Sequence, residues 1–164
     1  MSIGTLQVST PSDREIEMTR VFDAPRRLVW DAHTKPELLK RWLGVHNGWI
    51  LALCDIDLKV GGKYRYVWRN PKGVEMGMGG VFREIVAPER LVATEKFDES
   101  WYPGEALDTT VLVERAGKTT LTVTVRYESK EARDGVLRSP MKEGMESGYN
   151  TLAELLTTLD REVR

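Results

Sequence analysis

Apolar and polar residues alternate from Glu15 to Phe22, with Ile16, Met18 and Phe22 on one face, the period of a half-buried strand. The small, polar stretch before it, Met1 to Ser12, reads as a flexible arm or an early edge strand. Asp23-Ala24-Pro25 ends the first strand and opens a short helix, with Asp23 as its cap, Pro25 in its first turn and Leu28, Val29 and Trp30 as its apolar side. Thr34-Lys35-Pro36-Glu37 has the form of a capping box with an early proline. It leads into Leu38, Leu39, Trp42 and Leu43 and closes at Gly44, so two short helices in tandem are expected.

From Trp49 to Glu128 every segment reads as strand. Tyr64, Tyr66 and Trp68 alternate with Lys63, Arg65 and Arg69, which puts aromatics on one face and cations on the other. Asn70-Pro71-Lys72-Gly73 is a hairpin turn by composition. Val74 to Val86 is long for one strand, and Gly77, Gly79 and Gly80 mark a bulge or bend within it. Pro88-Glu89-Arg90 turns into Leu91 to Phe97, and Asp98 to Asp108 reads as a loop around Pro103-Gly104. Thr109 to Glu114 and Thr119 to Tyr127 then pair across Arg115 to Lys118. In the second of these, Leu121, Val123, Val125 and Tyr127 oppose Thr120, Thr122, Thr124 and Arg126, so one sheet face is buried and the other wet.

The end of the chain is helical. A short helix over Glu131 to Leu137 precedes a long one, for which Ser139 is the cap and Pro140 the first residue. In the long helix Met141, Met145, Tyr149, Leu152, Leu155, Leu156, Leu159 and Val163 form a stripe at spacings of three and four. A curved antiparallel sheet of about seven strands, apolar on one face, needs a cover, and this helix is the one element long enough to cross it. The expected class is α+β, a sheet wrapped around a C-terminal helix with two short helices after the first strand, in a single domain over residues 13–164. Such a sheet cannot close against one helix everywhere, and the gap is a candidate pocket.

Composition narrows the partners. Lys and Arg total 24 and Asp and Glu total 25, a net charge of −1, so the basic excess needed for nucleic acid or anionic membrane is missing. The longest strongly apolar run, Trp49 to Cys54, is too short to span a bilayer. A single Cys excludes an intramolecular disulfide and fits a reducing cytoplasm. Two His and one Cys without convergent spacing give no metal site, and no phosphate loop, dinucleotide fingerprint or nucleophile elbow is present, so no cofactor is expected.

Several short pieces in a fixed order resemble one family. They are Val21-Phe22-Asp23-Ala24-Pro25 with Val29-Trp30, Thr34-Lys35-Pro36-Glu37 leading to Trp42-Leu43-Gly44, and Asp57-Leu58-Lys59-Val60-Gly61-Gly62-Lys63-Tyr64. Pro88-Glu89-Arg90-Leu91-Val92 follows, then Glu143-Gly144-Met145 with Gly148-Tyr149 and Leu152. From about Arg14 to the C-terminus the chain resembles the activator of heat-shock protein 90 ATPase homologue family, within the START-like (SRPBCC, birch-pollen-allergen-like) superfamily. The resemblance implies a helix-grip fold of seven antiparallel strands with a cavity that in relatives holds lipids, hormones or polyketides, and through the family name a link to chaperones and stress response. It does not imply one function. Leu43, Val45 and Tyr149 depart from the commoner pattern, and Met76 and Met78 beside three glycines are unusually soft; these changes reshape a pocket wall more readily than a fold.

The candidate pocket is bounded by three stretches. Tyr64, Tyr66 and Trp68 form one wall, and Met76, Met78 and Phe82 a second. Met141, Gly144, Met145, Gly148, Tyr149 and Leu152 of the long helix form the third, with Trp42 at the mouth. Gly144 and Gly148 carry weight here, because a glycine inside a helix costs about 1 kcal/mol relative to alanine and so marks either close packing or room for a ligand. Arg20 and Glu84 interrupt apolar strand faces, and each either ends in solvent or anchors a ligand. Asp55 and Asp57 are read as exposed partners of Lys59 and Lys63 rather than as an acid pair. No catalytic residue is assigned.

The expected function is binding of a small, largely apolar molecule by a monomer or weak homodimer. The rivals are a chaperone-regulating interaction module and an enzyme of cyclase or dehydratase type using the same cavity. An interaction module should expose Trp101 and Tyr102; an enzyme should hold an acid or base inside the pocket with a partner in reach.

Overall fold

The computed structural model describes residues 4–99, 102 and 104–163, with nothing described of the Val163 side chain. Eight strands form one antiparallel sheet: β1 (Gln7–Ser9), β2 (Glu15–Phe22), β3 (Ile50–Ile56), β4 (Lys63–Arg69), β5 (Glu75–Val86), β6 (Arg90–Phe97), β7 (Ala106–Arg115) and β8 (Lys118–Arg126). Their spatial order is β1-β2-β8-β7-β6-β5-β4-β3. The helices are α1 (Arg26–Thr34), α2 (Pro36–Leu39), α3 (Lys130–Arg138) and α4 (Met141–Val163). The α+β helix-grip class holds, with eight strands instead of about seven because the arm supplies β1, whose Val8 lies opposite Met18.

Side chains opposite one another in register share a face, so the pairings define the concave side. Ile16 lies opposite Val125, Met18 opposite Val123, Arg20 opposite Leu121 and Phe22 opposite Thr119. The same row continues through Asp108 opposite Val125 and Leu112 opposite Leu121. It reaches Ala93 opposite Asp108 and Glu95 opposite Ala106, then Phe82 opposite Ala93 and Met78 opposite Phe97. Tyr66 faces Met78, and Cys54 faces Tyr66. Burial follows the pleat. In β2 the even-numbered residues are buried and the odd ones are not, because one face meets α4 and the other water.

Helix α4 covers this face unevenly. Leu152, Leu155, Leu156 and Leu159 are buried, Leu152 completely, whereas Met141 and Met145 are half-buried and Gly144 is exposed. The C-terminal half of α4 therefore seals the sheet and the N-terminal half leaves it less closed.

Several local expectations differ in detail. Neither Asp23 nor Thr34 caps a helix; Pro25 and Lys35 hold those positions, and the Thr34 hydroxyl donates back to the Trp30 carbonyl (2.9 Å). Ser139 ends α3 instead of starting α4, its hydroxyl donating to the Val136 carbonyl, while Ser129 caps α3 by accepting from the Ala132 N–H (3.0 Å). The β5 irregularity falls between Phe82 and Glu84, just past the glycines. At Gly80 any Cβ would collide with the Thr94 carbonyl of β6, which explains the small residue there. Gly44 stands at φ +69°, and a Cβ there would meet the Trp68 indole, whose Nε1–H donates to the Leu43 carbonyl (3.0 Å). The largest difference is β7: strand begins at Ala106, so Asp108 is sheet, not loop.

Two substitutions separate helix packing from sheet anchoring. Leu152→Ala, at the centre of the seal, is expected to lose about 2–5 kcal/mol through transfer and cavity terms. Thr119→Val removes the hydroxyl that donates to the Ala24 carbonyl at 2.7 Å, and is expected to cost about 1–3 kcal/mol through the buried group left unpaired. Urea unfolding of both variants checks the order; a smaller loss for Leu152→Ala would mean that α4 is not the main cover.

Candidate functional site

The aromatic row of β4 turns inward as expected. Tyr64 and Trp68 are buried and Tyr66 is half-buried, with ring centroids 5.1 Å apart for Tyr64–Tyr66 and 5.9 Å for Tyr66–Trp68. Tyr64 also packs on Phe82 at 5.4 Å, and its hydroxyl donates to the Thr94 carbonyl at 2.6 Å. Met78 and Phe82 are buried on the same face, and Met76, at its outer end, is exposed. Trp42 is buried between helices: its Nε1–H donates to the Ala32 carbonyl (2.9 Å), and its ring stacks on Tyr149 at 5.9 Å. Tyr149 meets Phe22 edge-on at 6.0 Å. A Cβ at Gly148 would come into ordinary contact with Trp42, and one at Gly144 would meet nothing within 4 Å. The structure thus brings β4, β5, Trp42, Tyr149 and Leu152 into one core cluster with Met141 and Met145 packed against it, and leaves Gly144 outside it.

The polar centre of this face lies at residues not singled out in the sequence. Asp108 projects from β7 beside Ala93 and Val125, and its Oδ1 is shut off from solvent with no donor reaching it. Burial first, then the neighbouring Glu95 carboxyl, pushes the Asp108 carboxyl well above the ordinary carboxylate range and so favours its neutral form.

Five tyrosines pack in or against the core on this side of the sheet. The Tyr102 hydroxyl donates to Glu95 Oε2 at 3.0 Å, and its ring meets Tyr127 edge-on at 5.1 Å. Burial raises the phenol pKa values of Tyr64, Tyr66, Tyr102, Tyr127 and Tyr149, and the Asp108 site adds to the rise in each, so all five remain protonated donors. Beyond Tyr149 lies Arg20, buried, its Nη1 donating to Asn150 Oδ1 of α4 at 2.7 Å and its Nε without a partner among the described residues. Arg20 therefore faces inward, whereas Glu84 is exposed and pairs with Arg90 at 3.2 Å. Tyr102, which an interaction module should expose, is buried; Trp101 lies outside the described residues.

The other candidates are structural. His33 donates from Nδ1 to the Val29 carbonyl (2.8 Å), and burial lowers its pKa, leaving a neutral ring. His46 is exposed and bonds Ser147 at 3.0 Å. The Cys54 thiol is pushed up to about 11 by burial and is not a nucleophile near neutral pH. Asp57 pairs with Lys59 at 3.7 Å in the open. Among the described residues no three His, Cys, Asp or Glu side chains converge to hold a metal ion, and no helix is long and apolar enough to cross a membrane. Two open depressions of about 480 and 540 Å³ lie at one end of the sheet, the first lined by Arg14, Arg83, Leu107 and Arg126 among others and the second by Ser12, Asp13, Arg14, Glu15 and Arg126; neither contains the Asp108–Glu95 pair.

The raised Asp108 pKa carries a signature in stability. The native protein keeps a proton that the unfolded chain releases above about pH 4, so stability falls as pH rises from there through the raised native value. Asp108→Asn has nothing to release. Its stability relative to wild type is expected to increase steadily with pH above 4 in stepped urea titrations, and parallel curves would contradict a neutral Asp108.

Comparison with known proteins places this architecture. The family model described as "Activator of Hsp90 ATPase homolog 1-like protein" matches residues 23–157. A crystal structure of a Rhodobacter sphaeroides protein is 35% identical, with 93% of this chain and 98% of that chain covered at a TM-score of 0.88. A Nitrosomonas europaea protein is 25% identical over 93% of this chain and 99% of that one, at 0.81. A Plasmodium falciparum protein described as an HSP90 activator shares the fold, at 23% identity, 88% and 96% coverage and a TM-score of 0.65. No curated protein matches the chain. With most of its length inside the family match, the chain belongs to the Activator of Hsp90 ATPase homolog 1-like family.

Proposed function

We propose that the protein binds a small, largely apolar molecule in the space between α4 and the concave face of the sheet. The observation that carries this reading is the inward polar centre: Asp108, on the concave face with its Oδ1 sealed and unpartnered, and Glu95, which accepts from the Tyr102 hydroxyl, stand within a lining that is otherwise aromatic and aliphatic. A few oriented polar groups in an apolar surround are the usual make-up of a small-molecule site. The half-buried N-terminal half of α4, with Met141 and Met145 as adaptable side chains, is the proposed entrance. The buried single thiol fits a reducing compartment, and we place the protein in the cytoplasm.

Two other readings share this fold. A chaperone-regulating role rests on the family description and on the Plasmodium relative, a fold-level link. The burial of Tyr102 removes one of the two aromatics which that reading expects on the surface. An acid–base enzyme in the same space is favoured by one feature, an inward-facing Asp108 beside Glu95, its pKa raised by burial and by that neighbour.

Uptake of an uncharged apolar dye, N-phenyl-1-naphthylamine, tests the binding reading. Wild type is expected to bind it, and Ala93→Leu, which adds bulk on the floor between Phe82 and Asp108, to weaken binding about tenfold or more while remaining folded by circular dichroism. Arg115→Ala in the exposed β7–β8 turn is expected to bind as wild type does. No uptake by wild type, or equal uptake by Ala93→Leu, would sink the proposal.

A further inference from the structure

We propose that the Asp108 carboxyl anchors the buried end of the ligand by accepting a hydrogen bond from it, and that the site selects an apolar molecule ending in a protonated amine over the same molecule ending in a methyl group or a carboxylate. The inference rests on the ligand-binding reading of the same space.

What this face lacks is a donor. Asp108 Oδ1 is sealed from solvent, and no N–H or hydroxyl among the described residues reaches it. A buried acceptor in that state is an exception in a folded interior. Two hydroxyls on the same side are already used: Tyr102 donates to Glu95 at 3.0 Å and Tyr64 to the Thr94 carbonyl at 2.6 Å. Space lies beside the unpartnered group. Glu95, Asp108 and Thr110 point to the concave side, opposite Ala106, Val125 and Val123 in register. All three remain half-buried, whereas Ala93, Ala106 and Val125 around them are buried, so the face stays open at the acids.

Charge narrows the donor. Ala93 lies opposite Asp108, and Glu95 is two residues further along β6, which makes the two acids diagonal neighbours on one face. Neither belongs to an ion pair among the described residues. Of the two buried arginines, Arg20 is turned to Asn150 at 2.7 Å and Arg133 to Ser12 and Asp134. The other titratable groups around Asp108 are the phenols of Tyr64, Tyr66, Tyr102, Tyr127 and Tyr149, none of them cationic. Phe97 follows Glu95 on the same face of β6, and Tyr66 joins that row through Met78; both rings are half-buried. Aromatic faces attract an ammonium group. An ammonium would bring both the N–H that Oδ1 lacks and the positive charge that the acids lack. An alcohol brings the donor without the charge. A carboxylate brings neither and meets two acids in a poorly solvated place.

One fluorescent body decides the matter: a dansyl sulfonamide on the same alkyl tether, ended in turn in an ammonium (dansylcadaverine), an alcohol, a methyl group and a carboxylate. Wild type is expected to bind the ammonium about tenfold or more tighter than the methyl-ended probe, with the carboxylate weakest. Asp108→Asn keeps an acceptor but loses the charge, and is expected to cut the ammonium preference to about threefold or less. Its affinity for the methyl-ended probe should stay within about twofold of wild type, which reports an intact site. Glu95→Gln is expected to act in the same direction and serves if Asp108→Asn does not fold. A wild-type ammonium preference below about threefold overturns the proposal, because a bound water then suffices for Asp108. A preference that survives both substitutions overturns it too, since the cation then sits elsewhere. An alcohol as tight as the ammonium overturns the choice of an amine. In each of these cases binding of the methyl-ended probe leaves the ligand-binding reading standing. If none of the four enters but N-phenyl-1-naphthylamine does, the inference alone fails; if that dye is also excluded, both fail.

Discussion

The packing of α4 against the concave face of the sheet is the interaction on which everything else here depends. Four buried leucines, Leu152, Leu155, Leu156 and Leu159, hold one half of the helix down. The other half carries Met141, Gly144 and Met145 and is progressively less covered. A strongly curved sheet has more concave surface than one helix can touch, so complete closure would need bulk that this chain does not have. Its place is taken by tyrosines, two carboxyl groups and methionines. The grip that stabilises the fold is thereby also the reason a polar centre survives inside it.

That centre is tolerable only because of how its charge is arranged. An isolated ionised carboxylate in an apolar interior is costly, and two in contact more so. Burial and the neighbouring Glu95 raise the Asp108 pKa, which favours its neutral form, and the Tyr102 hydroxyl donates to Glu95 at 3.0 Å. Arg20 does not neutralise the pair. It bonds Asn150 and covers the Phe22 ring at 5.4 Å, tying β2 to α4. The acidic pair and Arg20 are thus bonded to different neighbours: Glu95 to Tyr102, and Arg20 to Asn150.

The fold was legible because its signals are periodic. The alternation in β2 and β8 predicted both faces correctly, and the stripe from Met141 to Leu159 located the covering helix within a residue or two of its observed ends. The caps were less legible. Asp23 and Thr34 have suitable side chains, yet the chain turns at Pro25 and Lys35 and the hydroxyl of Thr34 satisfies itself on its own helix. The centre of the site was missed for a related reason. Asp98 to Asp108 is rich in polar and turn-forming residues, and in β7 the more apolar alternate set, Leu107, Val111 and Val113, lies on the face away from Asp108, with Leu107 and Val113 exposed, so periodicity points the wrong way there. Leu91, Ala93, Glu95 and Phe97 do hold a signal, one acid on an otherwise apolar strand face. Arg20 and Glu84 showed the same pattern and resolved oppositely: Arg20 sits under α4 and Glu84 lies past the β5 irregularity, where the face turns outward.

The distinction between fold and function runs through these residues. The strand pairings, the Trp42–Tyr149 stack and the leucines of α4 would serve any helix-grip protein, whatever it does, and membership of the family follows from features of that kind. Asp108 and Glu95 are different. A leucine or valine at either position would complete the apolar face with less desolvation, and replacing buried ionisable pairs by apolar residues is often neutral or stabilising. Packing alone gives no reason for two acids at the centre of that face. The physical pressure toward removing them is what singles out their environment in the binding reading proposed above.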